Sequence, residues 1–302
     1  MTWCVLRKFK AVWNELKKCF IGFDENGNEI ELLVVFTNTS REKQETLDFV
    51  RACDENFGFH TVWIEAVFSN KKGVGTKFKI VDFETAKQHG EVFEQMIQRY
   101  GIPNKSYKHC TRELKTVPIT KFCRSRGWKN KTYESWIGYR IDEPLRWKTD
   151  KQKLSAKKKK YVFYFIGEKP TTKTQVNGWW SFQRFNLQLE EHEGNCDKCH
   201  KKNENKLIAI CGNELNHKTE DYWWDDMELK YENFTPPSRK TKNAPYRFYR
   251  GKTSIKQIRD KAKIFYEKAF GDDNAMEVYT QALLNNNNPK QIRLCNEACE
   301  PF

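Results

Sequence analysis

Residues 32–50, LLVVFTNTSREKQETLDFV, decide the fold class of this chain. Residues 32–36 are an unbroken apolar run rich in branched side chains, which suits a strand buried on both faces of a parallel sheet. The polar turn Thr37-Asn38-Thr39-Ser40 then hands over to a helix. Ser40 is placed to cap that helix, and Glu42, Glu45 and Asp48 put negative charge near its positive end. Residues 60–67, HTVWIEAV, read as the next strand, so residues 32–67 form one βαβ unit. Ligands of open α/β sheets bind beyond the carboxyl ends of the strands, which is where Asn38 and Thr39 stand.

Outward from that unit, 302 residues with a hydrophobic fraction of 38% and an aromatic fraction of 14% exclude a disordered chain and leave room for one large domain or two ordinary ones. No apolar run approaches the roughly 20 residues needed to cross a bilayer, and lysines 8, 10, 17 and 18 interrupt any signal-peptide pattern. The expectation is a soluble, cytoplasmic protein without a membrane partner. A net charge of +14 points to anionic partners, nucleotide or nucleic acid, although solvated lysines are the commoner cause of such a balance. Ten cysteines in a chain without an export signal suggest metal or redox chemistry for some and ordinary burial for others. Cys4, Cys19 and Cys53 belong with the buried group.

The first 20 residues space Leu6, Phe9, Trp13, Leu16 and Phe20 by threes and fours, which predicts an amphipathic helix. Residues 22–28 read as a surface turn and residues 69–81 as a basic, glycine-containing loop. Residues 91–100 put Phe93, Met96, Ile97 and Tyr100 on one helical face, stopped by Gly101 and Pro103. ESWIGYR at 134–140 and YVFYFIG at 161–167 look strand-like, and the lysine-rich residues 148–160 between them an exposed connection. A helix over 221–231 is expected to turn Tyr222, Trp223, Met227 and Tyr231 inward. TPPSRKTKNAP at 235–245 is the best linker candidate, dividing residues 1–234 from a helical extension, 235–302, that ends in a cysteine pair.

Cys196-x-x-Cys199 is the strongest local signal, because two thiolates at that spacing can bite one metal ion. Alone, the pair fits a metal site, a redox pair or coincidence about equally. The tail pair Cys295 and Cys299 offers two further thiols, and Cys110 another. In HCTRELK, Arg112 and Lys115 would flank the anion-friendly end of a helix if Pro118 lies in its first turn. Arg140 follows a strand and is expected at the same sheet edge. Asp142 and Glu143 read as a metal or ribose contact or as salt-bridge partners of Arg140 or Arg146, and His192 and His200 flank the cysteine pair.

VVFTNTSREKQETLDFV, GTKFKIVDFETA, CTRELKTVPI, GYRIDEP and QRFNLQLEEHEGNCDKCHKK, in that order, resemble the phosphoadenosine phosphosulfate reductase family, in particular members carried by phages and mobile elements. The resemblance runs over residues 32–234, with a weaker match in the tail. It implies an adenine nucleotide alpha hydrolase-like fold of the PP-loop superfamily, a parallel sheet between helices with the nucleotide at the strand ends. By resemblance, Asn38, Thr39, Arg112, Lys115 and Arg140 would meet an adenine nucleotide, either ATP or an adenosine phosphosulfate. Cys110, Cys196 and Cys199 match cysteines that hold an iron-sulfur cluster in one branch, with His109, Cys123 or a tail cysteine as the fourth ligand and zinc as the alternative cofactor. Cys295 or Cys299 would stand for the reductases' catalytic thiol, which implies a thioredoxin-like reductant.

The family begins with a strand and a serine-glycine-glycine phosphate loop that has no counterpart here, so Met1 falls near the middle of the following helix. Truncation and loss of the loop both account for this, and truncation is the expectation. The implied activity is sulfonucleotide reduction or ATP-dependent activation in the manner of ATP pyrophosphatases, and either would ordinarily use that loop. The alternatives are a component of nucleic-acid modification by sulfur transfer, with residues 148–160 holding the nucleic acid, and a non-catalytic descendant that binds nucleotide or metal.

Overall fold

The computed structural model describes residues 1–69, 71, 73–129, 132–144, 147–148, 161–190, 192–194, 196–236 and 244–285. The chain is a mixed α/β protein with three small sheets. After helix α1 (Thr2–Lys8), strands β1 (Val12–Asn14), β2 (Cys19–Phe23) and β3 (Glu29–Leu32) form an antiparallel meander. Strand β4 (Val35–Asn38), helix α2 (Gln44–Phe57) and strand β5 (Val62–Val67) make the expected βαβ unit, with Val35 opposite Val62 in a parallel pair. Gly58, at φ 61°, ends α2 in the left-handed conformation that glycine adopts without a Cβ penalty.

The apolar run 32–36 is not one doubly buried strand. It breaks at Leu33 and Val34, so that Leu32 ends β3 and packs beside Val5 and Trp136, while Phe36 in β4 meets Trp63 and Leu47. One run therefore serves two separate cores, a division that hydrophobicity alone does not mark. Residues 69–81 also differ from expectation, since Lys77–Val81 is strand β6, antiparallel to β5. Lys77, Lys79 and Ile80 are exposed while Phe78 and Val81 are partly buried, as suits a strand at the edge of the sheet.

The amino-terminal helix is shorter than its apolar spacing predicts. Lys10 and Lys18 both take φ near 49°, and residues 12–23 form a hairpin instead. Trp13 lies opposite Phe20 and stacks on His60 at 4.1 Å between ring centroids, so aromatic contacts across strands replace an inward helical face. Leu16, expected inside, sits in the hairpin turn and is 97% exposed. Cys19 and Cys53 are buried and Cys4 packs on Val5, as expected for core cysteines.

Helix α3 (Glu91–Tyr100) buries Phe93, Met96 and Ile97 as its periodicity requires. Residues 110–125 form a continuous helical segment, wound as a π-helix over Cys110–Thr116 and as α4 over Val117–Ser125. Strands β7 (Ser135–Trp136) and β8 (Tyr161–Val162) are a two-residue parallel pair, so the strand-like stretches 134–140 and 161–167 extend far less than they read. Helices α5 (Tyr164–Gly167), α6 (Lys173–Ser181), α7 (Glu204–His217), α8 (Trp223–Tyr231), α9 (Ile255–Tyr266) and α10 (Asp273–Asn285) follow. In α8 the buried tryptophan is Trp224, whereas Tyr222 precedes the helix and is largely exposed. Residues 149–160, most of the linker (237–243) and residues 286–302, with Cys295 and Cys299, lie outside the described residues. Among the described residues no helix is long and apolar enough to cross a membrane.

The largest core joins α3 to α7, α8, α9 and α10, on both sides of the proline-rich stretch. Helices α7 and α9 approach closely at Gly212, where a Cβ would stand 2.3 Å from the fully buried ring of Tyr266. Gly212→Ala is therefore expected to cost roughly 1–3 kcal/mol in urea unfolding through overpacking. A neutral or stabilising result would mean that α9 is free to shift.

Candidate functional site

Strand β4 ends on Thr37 and Asn38, and the next three residues turn sharply. Ser40 sits at φ 66°, held by its N–H donating to the Asn38 side-chain oxygen at 3.0 Å. The Ser40 hydroxyl does not cap α2, whose N-cap is Lys43. It accepts instead from the N–H groups of Val92 and Phe93, at 3.0 and 3.3 Å, and so caps α3. Asn38 is fully buried and its amide donates to Glu65 Oε1 and to the Lys87 carbonyl, both at 2.7 Å. Asn38 thus fixes the strand end from within. Thr39 gives its N–H and its hydroxyl to Glu42 Oε2, at 2.7 and 2.8 Å.

Two further segments close on this turn. In a π-helix the hydrogen bonds span i to i+5, so residues five apart come near one face. Cys110 and Lys115 are five apart, and both line the same cleft. The helix runs on unbroken through Pro118, so no open amino end exists there for an anion. Arg112, on the far side of the turn, has a side chain 68% exposed and pairs with Glu113. From the other direction Cys196 forms a bridge with Glu42, and the Asp197 N–H donates to the Arg41 carbonyl at 3.1 Å.

The result is a narrow cleft lined by Thr39, Phe93, Cys110, Thr111, Lys115, Cys196, Cys199, His200, Lys201 and Trp224. Cys110 Sγ lies 3.9 Å from His200 Nδ1, and Lys115 Nζ lies 3.8 Å from Glu42 Oε1. Three thiols, one imidazole and two ammonium groups give this cleft both soft donors and positive charge. Among the described residues no group of three or more His, Cys, Asp or Glu is gathered closely enough to hold a metal ion.

A buried ion network fixes the cysteine turn from behind. Arg41 donates to Asp197 at 2.6 Å and also pairs with Asp221, and the Trp224 indole N–H donates to Asp197 at 2.9 Å. Lys198, wholly buried, pairs with Glu214 and lies 3.7 Å from Asp197. Lys202 Nζ donates to the carbonyls of Cys196 and Asp197, both at 2.8 Å, and the Tyr249 hydroxyl donates to that of Lys198 at 2.9 Å. Burial by itself raises the Asp197 pKa, but Lys198, Arg41 and the Trp224 hydrogen bond hold it down to about 2. Burial pushes Glu214 up to about 7, with Lys198 acting against the shift.

Of the residues singled out in the sequence, Thr39, Lys115, Cys110, Cys196, Cys199 and His200 meet at the cleft, while Asn38, Arg112, Arg140 and His109 do not line it. Arg140 is engaged by Asp142 at 3.1 Å and Glu143 at 3.3 Å, and its short strand belongs to another sheet. His109 stacks on Tyr100 and Tyr107. Cys123 is buried beside Tyr133, away from the cleft lining, and burial raises its pKa. His192 is buried, and desolvation lowers its pKa. The sequence reading missed Arg41, Asp197, Lys198 and Trp224. Two charged residues enclosed between cysteines, with an arginine at the strand end, were the available signal.

Fold and cleft define a mixed α/β protein with a thiol- and lysine-lined cleft at the end of a parallel strand pair. The chain is similar to the uncharacterized nin region protein ORF290 of Escherichia phage lambda, with 30% identity over 183 residues. That match spans 60% of this chain and 60% of the relative's length. No family model matches the chain, and no solved structure matches it.

Proposed function

We propose that this is a phosphoadenosine phosphosulfate reductase-family protein that takes an adenine nucleotide at the carboxyl end of β4, with the nucleotide's phosphate or sulfate directed at Lys115. The observation that carries the reading is the convergence of Thr39, Cys110, Lys115, Cys196 and Cys199, from three distant segments, on one cleft. The parallel β4–α2–β5 unit is the part of an adenine nucleotide alpha hydrolase-like sheet that would present such a ligand. An ammonium in a half-enclosed site suits an anion, because it meets less water and less screening there than on the surface.

The same cleft supports a metal reading. Thiolates and imidazole are the donors that zinc and iron-sulfur clusters take. Cys110, Cys196, Cys199 and His200 line that cleft but are not gathered closely enough to ligate one ion as they stand, so they would have to draw together to hold the group. Such a group would tie the π-helix to the cysteine turn and lower the thiol pKa values.

Isothermal titration of the purified protein with adenosine 5′-phosphosulfate and with ATP tests the nucleotide reading. Binding is expected for at least one, and Lys115→Ala should weaken it about 10-fold or more, the loss of one charge-assisted contact of roughly 1.5–3 kcal/mol. Equal affinity in the variant would remove the anion from this cleft. Metal and acid-labile sulfide analysis of anaerobically purified protein tests the second reading, and protein free of zinc, iron and sulfide would reject it.

A further inference from the structure

Away from the cleft, α6 (Lys173–Ser181) is a helix of nine residues without one buried side chain, although it carries Trp179 and Trp180. Their rings belong to an aromatic surface. Trp179 and Trp180 meet at 4.7 Å between centroids, Trp3 lies 5.9 Å from Trp179, and Phe49 lies 4.8 Å from Trp180. Phe57 and Phe185 complete the cluster, 5.6 Å apart. All six rings are partly exposed, and Phe182 beside them is 89% exposed.

The chemistry of this surface is that of stacking and positive charge. Residues 177–185, NGWWSFQRF, hold four aromatic residues and one arginine, with no Leu, Ile, Val or Met. Residues 173–185 and 1–10, which supply Trp3, Trp179, Trp180 and Phe185, contain Arg7, Lys8, Lys10, Lys173 and Arg184 and no carboxylate of their own, although Lys8 pairs with Glu168 and Glu25. The Arg7 guanidinium lies 4.6 Å from the centre of the Trp3 ring. On α2 beneath, Asp48 is engaged by Gln44, Asp54 by Thr61 and Glu55 by Arg51, while Glu45 is exposed. A groove for a protein helix wants aliphatic anchors at helical spacing. Rings interleaved with cations are instead the platform on which successive bases stack while arginine and lysine track the phosphates.

We propose that the face formed by Trp3, Phe49, Phe57, Trp179, Trp180 and Phe185 binds single-stranded nucleic acid, with Arg7 and Arg184 as phosphate contacts. It is independent of the nucleotide reading of the cleft.

The test is a titration of the full chain with fluorescently labelled oligo-dT and oligo-U 12-mers, read by anisotropy and by quenching of tryptophan emission at 50 and 200 mM salt. Binding to either oligomer is expected, with quenching, and weaker at the higher salt. Trp179→Ala/Trp180→Ala should weaken it about 10-fold or more, as the loss of stacking for two bases requires. Phe182→Ala and Arg184→Glu change exposed positions and keep the test valid if the double variant unfolds. Arg184→Glu should reduce affinity and flatten the salt dependence by about one phosphate's share. Absence of binding at 50 mM salt would overturn the proposal, as would affinity indifferent to both Phe182→Ala and Arg184→Glu. Self-association without oligomer binding would also overturn it, and would assign the face to a second copy of the chain.

Discussion

Asp197→Ala is expected to destabilise the protein by about 3–5 kcal/mol, a large share of the roughly 5–15 kcal/mol that holds a domain folded. The carboxylate is buried and takes hydrogen bonds from Arg41 and the Trp224 indole, with Lys198 3.7 Å away. Its loss leaves Arg41 with Asp221 and Lys198 with Glu214 as their remaining carboxylates, and strands the Trp224 indole N–H beside a gap, so two buried cations share less negative charge than they need. Urea unfolding measures the cost. The variant should also loosen the Cys196–Cys199 turn, whose backbone this network holds, so thiol labelling at Cys196 and Cys199 should quicken under native conditions. A loss below about 1 kcal/mol would mean that water enters the network.

Glu228→Ala is the second large effect. The Glu228 carboxylate is buried on α8 and accepts from the backbone N–H groups of Phe248 at 3.1 Å and Ile255 at 2.9 Å. It therefore pins the chain after the proline-rich stretch, together with the first turn of α9, onto the main core. Two buried donors left unpaired cost roughly 1–3 kcal/mol each, so the variant should lose about 2–6 kcal/mol. Burial pushes the Glu228 pKa from 4.5 up to about 7, although both amides act in the opposite direction.

A carboxyl whose pKa rises on folding stabilises the folded state fully below its unfolded pKa, and that contribution is lost as pH rises through the folded value. Stability should accordingly fall between pH 4.5 and 7 by roughly 3 kcal/mol from Glu228, with Glu214 adding loss of the same sign. Asp197 works in the other sense and in another window, losing its contribution as pH falls from 3.8 through about 2. Glu228→Gln should flatten the upper slope. An unchanged slope in that variant would exclude Glu228 as its source.

How much of this was legible in the sequence depends on the range of the forces involved. The βαβ unit and α3 follow from local periodicity, which the structure keeps because each element buries one face. The hairpin at residues 12–23 was not legible, because spacing by threes and fours also fits Trp13 and Phe20 meeting across two strands. Ser40 reads as the cap of the helix that follows it, yet caps α3, whose amino end lies next to it only in three dimensions. The same holds at the cleft. Cys110, Lys115, Cys196 and Cys199 could be named one by one, but the ion network behind the turn depends on Arg41 and Asp197 meeting across 156 residues of sequence. Arg140 misled because its cation, near a strand in sequence, is satisfied by neighbouring carboxylates.

The most direct test is a crystal structure of the protein soaked with adenosine 5′-phosphosulfate or ATP, with anomalous data to locate sulfur, zinc or iron. The phosphate or sulfate is expected in the cleft within hydrogen-bond distance of Lys115 Nζ, with the adenosine lying over the end of β4. Nucleotide bound elsewhere on the protein, with this cleft empty, would contradict the account.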